Sequence, residues 1–403
     1  MTKIEWADKT WNCLVGCSKV PRLGKGKSPC AHCYAMGDAP HRFPAVYERD
    51  GVVKLGTNPK RPGLTFVPRD AGGKSLGKGA QWTGEVRLLP WKLDEPLRRK
   101  KPTKYFVNSL ADLFHEKLVG CEEGRRFIAA IFGVMAACPQ HTFQILTKRD
   151  PRPWFEWLDK VTLGHPRLLF QYLDDLAWEI PDIVIPQLQG CVDRRVSWPL
   201  PNVWVGQSVE DQAAADKRIP WLLGTPAAVR WLSVEPMLGP ITFAPLVSGD
   251  GLYTHTDPLT GAGIGWDVEK AIPTRRDIEQ GEVYVYGRRG EFVSIDWIVA
   301  GGESGPGARP MHPDWARSLR DQCVEAGAAY HFKQKGAWTS VTSDDPTWTH
   351  MLAPDGRTFA RGEDIPLDVM TNMSAVAFMK RVGKKAAGRM LDGRTWDEFP
   401  DLG

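Results

Sequence analysis

The residues best suited to chemistry are three cysteines near the start of the chain, in WNCLVGCSKVPRLGKGKSPCAHCYA (residues 11–35). Cys30 and Cys33 form a C-x₂-C pair, and Cys17 lies twelve intervening residues upstream, across a loop rich in Gly, Lys and Pro. Thiolates are soft ligands that suit zinc or the iron of an iron–sulfur cluster. A C-x₂-C turn presents two sulfurs to one centre, and the loop folds Cys17 back to meet them. Three readings are open on these residues. A structural zinc site needs four ligands, with Cys13, His32 or His41 as the fourth. A thiol–disulfide pair usually opens a helix in a thioredoxin-like unit, and it leaves Cys17 without a role. A [4Fe–4S] cluster on Cys17, Cys30 and Cys33 leaves one iron without a protein ligand, open to a small molecule. Tyr34 adds an aromatic ring beside the last cysteine. Cys13 then reads as a bystander, and Cys121, Cys138, Cys191 and Cys323 as scattered, mostly core thiols.

The rest of the composition is that of an ordinary globular chain. Of 403 residues, 42% are hydrophobic and 25% charged, both within the usual range. Lys and Arg (52) exceed Asp and Glu (48), for a net charge of +4. That mild excess suits an anionic partner without requiring one. Eight cysteines are too few for a disulfide scaffold of this length, so clustered ones are expected to be ligands or reactive thiols in a reducing compartment. No apolar run reaches the about 18 residues of a membrane span, and the N-terminus has no signal-peptide core. A cytoplasmic location is the expectation. The tryptophans in loop-like text (Trp82, Trp91, Trp198, Trp338) read as peripheral plugs.

The elements that must position the cysteines follow a repeating rhythm. Strands are expected at 104–110, 142–149, 202–210, 229–236, 296–305 and 329–336, with helices at 122–137, 151–160, 210–223 and 313–327. Strands alternating with helices imply parallel β/α units. The expected fold is α/β, a partial or complete β/α (TIM-like) barrel, with a doubly wound open sheet as runner-up. The barrel spans residues 1–338, and 339–403 form a C-terminal extension packing on it. Insertions interrupt it at about 51–84 (a flexible arm), 160–200 (with an acidic helix) and 244–295 (a small β insertion with a GRRG turn). The basic run KRVGKKAAGR (380–389) reads as a solvated helix face, with a phosphate-contacting patch as the alternative.

Polar residues stand just after each apolar run, where a β/α barrel builds its active site. They are Asn108, Ser109 and Asp112; Thr147, Lys148 and Arg149; Ser208 and Glu210; Glu235; Glu303 and Ser304; and Lys333 with Gln334, while Gly301 and Gly302 would let backbone approach a ligand closely. Any one of them alone is better explained as a loop or cap residue. For Lys148 and Arg149 the plain alternative is an ion pair with a neighbouring strand-end acid. For the glycines it is a tight turn.

IEWADKTWN, GCSKV with C-x₂-CYA, FVNSLADLFHE, QHTFQILTKR, VWVGQSVEDQ, LSVEPMLGPI, VAGGESGPGARPM and HFKQKGAW, followed by GRMLDGRTWDEFP, resemble the phage Gp37/Gp68 family, a radical-SAM-like group with three cysteines. The resemblance implies a partial β/α barrel with a cysteine loop after the first strand. It implies two cofactors, a [4Fe–4S] cluster on Cys17, Cys30 and Cys33 and S-adenosylmethionine (SAM) on the open iron. The usual radical SAM spacing is C-x₃-C-x₂-C, so RLGKGK looks like a local insertion. Reduction of the cluster would cleave SAM to a 5′-deoxyadenosyl radical.

With SAM bound in this way, Tyr34, Asn108, Ser109, Asp112, Ser208 and Glu210 are the candidates for holding it, joined by Gly301 and Gly302 through close backbone approach and not as the family's glycine motif, which follows the second strand. Lys148, Arg149, Glu235, Glu303 and Lys333, with Gln334, are the candidates facing the substrate. The implied substrate is a modified base in phage DNA, with rearrangement of a thymine adduct as one version; a free nucleotide is the variant. The implied location is then the host cytoplasm, and the implied partner an electron donor of flavodoxin or ferredoxin type. Repair of a thymine photoproduct is an alternative within the same chemistry. A non-enzymatic zinc adaptor is an alternative outside it.

Overall fold

The computed structural model describes residues 4–21, 23, 30, 33, 35, 46–49, 52–55, 65–66, 81–162, 169, 197–243, 258–260 and 294–401. Seven strands form the main sheet: β1 (Lys9–Trp11), β2 (Lys104–Val107), β3 (Thr142–Thr147), β4 (Val203–Ser208), β5 (Val229–Val234), β6 (Trp297–Gly301) and β7 (Ala329–Gln334). Strand neighbours follow chain order without reversal. A doubly wound sheet reverses its order at a switch point, so that alternative is set aside. β1 pairs with β2, β2 with β3, β5 with β6 and β6 with β7 in parallel. Among the described residues no pairing joins β7 back to β1. The fold is therefore mixed α/β, with a parallel sheet compatible with a partial β/α barrel.

The chain divides into two compact units, Met1–Pro21 with Lys27–Trp204, and Arg22–Gly26 with Val205–Gly403. The division falls inside β4. In the first unit, α1 (Glu116–Val119) and α2 (Glu122–Ala137) follow β2, and α3 (Arg152–Thr162) follows β3. In the second, α4 (Gln212–Leu223) follows β4 and α5 (Pro313–Ala326) precedes β7.

Local sequence explains these elements. β5 and β6 are buried along their whole length; β6 is a continuous apolar run, as a parallel strand covered on both faces must be, while β5 also buries Arg230 and Ser233. Helix α5 begins with Pro313 and ends at Gly327, whose φ of 72° is left-handed. Proline at the first helical position and a left-handed glycine past the end are the favoured start and stop. Asp211 caps α4 by accepting from the Ala214 N–H. Within the first unit, Trp11, Tyr105 and Phe143 bring three neighbouring strands into ring contact, with Tyr105 and Phe143 stacked at 5.5 Å. Within the second, Trp231 and Trp297 meet at 5.4 Å.

Two expectations are corrected. Part of the span read as a flexible arm holds short antiparallel pairs, Val46–Arg49 with Val52–Leu55 and Thr65–Phe66 with Gln81–Trp82. The basic run 380–389 is not a single helix face. Lys380 and Arg381 end a strand, and only Lys384–Ala387 is helical. That strand, β11 (Ala377–Arg381), lies between β8 (Trp338–Val341) and β9 (His350–Leu352), with β10 (Thr358–Ala360) outside β9. The C-terminal extension is thus a four-stranded antiparallel sheet. The acidic helix expected within 160–200 and the GRRG turn lie outside the described residues.

Gly206 on β4 tests the packing directly. A Cβ there would sit 2.4 Å from the Trp231 ring, whose side chain is fully buried. Gly206→Ala is expected to cost about 1–3 kcal/mol by overpacking. A urea unfolding midpoint equal to that of the parent chain contradicts this packing.

Candidate functional site

In the first unit, the residues that leave the C-terminal ends of β1, β2 and β3 gather around the cysteine loop. Asn108, directly after β2, has a φ of 57°. Asparagine tolerates this left-handed conformation better than most residues. The turn aims its Oδ1 at the chain leaving β1, where it accepts from the N–H groups of Cys13 (2.9 Å) and Leu14 (3.2 Å). Its Nδ2 is buried without a protein partner. Asn12 Oδ1 accepts from Ser109 Oγ and from the Leu110 N–H. The chain entering the cysteine loop is therefore held by residues of the β2 turn.

Asp112 is the hub of the next layer. Its carboxylate accepts from Thr147 Oγ1 (2.7 Å), from the N–H groups of Phe114 and Lys148, and from Arg149 Nη1 (3.1 Å). Arg149 is 6% exposed and uses every side of its guanidinium. Nε donates to Glu116 (2.9 Å), and Nη2 to the carbonyl (3.1 Å) and hydroxyl (2.9 Å) of Ser18. Nη1 also lies 3.8 Å from Cys17 Sγ. His115 Nε2 sits 2.9 Å from the same Ser18 hydroxyl, and its Nδ1 accepts from the Lys117 N–H. Burial, then Arg149, holds His115 below the usual imidazole range. The neutral ring accepting at Nδ1 therefore donates from Nε2.

The three thiols share this setting. The Cys33 N–H donates to the Cys30 carbonyl, closing the C-x₂-C turn. Cys17 and Cys33 pack on one apolar cluster of Val15, Ala35, Trp82, Leu89 and Leu110, beside Trp91. Burial pushes the Cys17 thiol up to about 12. Arg149 opposes the rise, and Asp112, Cys30 and Cys33 add to it. The three sulfurs thus lie within electrostatic reach of one another. None is in a disulfide. Among the described residues, no group of three or more His, Cys, Asp or Glu side chains closes on a point as a single metal ion requires. Cys13 is fully buried, and after burial its thiol feels Glu95 and Lys92. Tyr34, His32 and His41 lie outside the described residues.

The second unit carries its own group at the ends of β4 to β7. Glu210 and Arg218 form a fully buried ion pair at 2.8 Å. Arg218 also donates to the Ser208 carbonyl. Glu210 Oε1 and Arg218 Nε and Nη2 are buried without protein partners. Glu235 pairs with Lys333 at 3.1 Å. Glu303 is held by Arg309 through both carboxylate oxygens and through the Arg309 N–H.

The glycines after β6 serve close approach by the protein's own chain. A Cβ on Gly301 would meet Glu235 Oε1 at 2.6 Å, and one on Gly302 would meet the Lys335 carbonyl at 2.1 Å. The Gly302 N–H donates to the Gln334 carbonyl. The space that a ligand would use against these two glycines is thus taken by Glu235 and Lys335. Gln334 itself is buried, with its amide 3.4 Å from the Gly302 carbonyl.

Within the first unit the structure brings together Cys17, Cys30, Cys33, Arg149 and Asp112. Within the second it pairs Glu235 with Lys333. Asp112, read as a SAM contact, has its carboxylate occupied by four donors of the chain. Arg149 and Glu303, read as facing substrate, are tied to protein acids and to Arg309 respectively. Ser18, His115, Glu116, Arg218 and Arg309 were not among the expected site residues. His115 and Glu116 carry a signal in FVNSLADLFHE, and Ser18 in its place after Cys17. Trp82 and Trp91, expected at the periphery, adjoin the thiols.

Two outcomes test this geometry. Asp112→Ala leaves the buried Arg149 cation with the exposed Glu116 as its remaining carboxylate and is expected to cost about 1–3 kcal/mol in urea unfolding; a loss within about 0.5 kcal/mol contradicts the hub. Because folding lowers the His115 pKa, the unfolded chain takes up that proton first. The associated stability is present above the ordinary histidine pKa of about 6.5 and is lost on acidification through it. His115→Gln should therefore lose less stability than the parent between pH 7 and pH 5. Equal losses contradict the assignment.

No curated protein matches the chain, and no solved structure does. The family described as protein of unknown function, DUF5131, matches residues 1–400. A match over nearly the whole chain shows membership: this protein belongs to the DUF5131 family.

Proposed function

We propose that the protein is a radical SAM enzyme of the kind its sequence blocks resemble, the phage Gp37/Gp68 group, built on a partial TIM-like β/α barrel. The observation that carries this reading is the trio of thiols. Cys17, Cys30 and Cys33 follow the first strand of a parallel sheet, Cys17 and Cys33 rest on one apolar cluster, and Cys30 and Cys33 both act electrostatically on Cys17. An all-sulfur donor set suits iron–sulfur iron. The buried Cys13 stands apart from the trio and supplies no fourth zinc ligand in this reading.

A cluster held by these three thiolates would, once reduced by an external donor, supply the one electron that cleaves SAM to methionine and a 5′-deoxyadenosyl radical. The chain's own residues do the rest. Arg149 and Ser18 fix the loop at Cys17, and the apolar cluster with Trp82 and Trp91 keeps water from the sulfurs. Asn108 Nδ2, buried and without a protein partner, is the donor for SAM's carboxylate or ribose, with Ser109 beside it. The substrate is a modified base in DNA, and rearrangement of a thymine adduct is the reaction we favour. The electron comes from a flavodoxin- or ferredoxin-type donor.

Anaerobic incubation of the reconstituted protein with SAM, dithionite and DNAs of plain or modified thymine tests the reading. Mass spectrometry is expected to find 5′-deoxyadenosine above background and a changed nucleoside from the modified DNA. Cys17→Ser, Cys30→Ser and Cys33→Ser should each reduce both products to background, and Cys13→Ser should leave them. A colourless protein with stoichiometric zinc and no 5′-deoxyadenosine contradicts it.

A further inference from the structure

Arg149 makes contacts that a purely structural cation would not need. Its Nε and Nη1 donate to Glu116 and Asp112. Its Nη2 is spent on the carbonyl and hydroxyl of Ser18, and Nη1 also lies 3.8 Å from Cys17 Sγ. Its anchor is rigid, because Asp112 is itself held by Thr147, Lys148 and Phe114. Ser18 is pinned from a second direction by His115. The planar fork of arginine reaches all of these atoms at once, which the single ammonium of lysine does not.

We propose that Arg149 is a positioning residue for the iron–sulfur site. It locks Cys17 to the end of β3 and presents an N–H and a positive charge to that sulfur. This inference rests on the radical SAM reading above. Hydrogen bonds to the sulfurs and local charge set a cluster's potential. A cation at a ligating sulfur stabilises the more negative, one-electron-reduced cluster. Arg149 therefore makes the cluster easier to reduce.

The test compares the full-length parent with Arg149→Lys, Arg149→Met and Ser18→Ala, each reconstituted anaerobically with iron and sulfide. Iron per chain and circular dichroism are recorded first. A mediator titration with dithionite, followed by visible absorbance and electron paramagnetic resonance, then gives the midpoint potential of the one-electron couple. The expected result is a more negative midpoint in Arg149→Lys, with a larger shift or loss of iron in Arg149→Met at unchanged circular dichroism. Should Arg149→Met fail to fold, Ser18→Ala decides. It removes one contact of the fork without leaving a buried charge, and a negative shift supports the proposal. Parent-like midpoints and iron in the variants that fold overturn it. A parent chain that takes up no iron overturns the radical SAM reading instead.

Discussion

A buried guanidinium has to be paired, and that requirement organises the first unit. Leaving Arg149 unpaired in the protein interior would be prohibitive, so Asp112 must be present and correctly turned. Asp112 is placed by the turn after β2, and Arg149 by the end of β3. Their meeting depends on the parallel register that sets Lys104 beside Thr142. Once paired, the arginine still has donors to spare, and the cysteine loop takes them. The same electrostatics that stabilise the sheet end therefore locate Cys17.

The second unit solves a similar problem differently. Its strand ends also carry charges, but these are closed into pairs: Glu210 with Arg218, Glu235 with Lys333, Glu303 with Arg309. Glycines at 301 and 302 let the chain after β7 come close enough to cover the end of β6. Several polar atoms here, Glu210 Oε1 and Glu235 Oε1 among them, remain buried without a protein partner. Buried polar atoms of this kind call for an explanation, with ordered water or a bound group as the ordinary ones.

Much of this plan was legible in the chain itself. β6 (WIVAG) is an unbroken apolar run, so its burial on both faces could be read directly. Helix α5 announces its start with Pro313 and its end with Gly327. The pairing of Arg149 with a neighbouring strand-end acid was visible as the plainer reading of that residue, although not which acid. Other features have no local signature. Arg309 lies six positions after the Glu303 it holds, across a loop whose path no periodicity fixes. Arg218 sits on the buried face of α4, where its polarity argues against its position. Strands β9 and β10 are three residues long, too short for alternation to show. The tryptophans near the thiols look like loop residues until the fold brings them in.

The central claim is that Cys17, Cys30 and Cys33 together hold a cluster with one open iron. Mössbauer spectroscopy of protein reconstituted anaerobically with ⁵⁷Fe, before and after adding SAM, tests it most directly. The account predicts a [4Fe–4S] signal with about four irons per chain, one of which changes its spectrum when SAM is added. A single tetrahedral iron, or a cluster whose irons all ignore SAM, contradicts it.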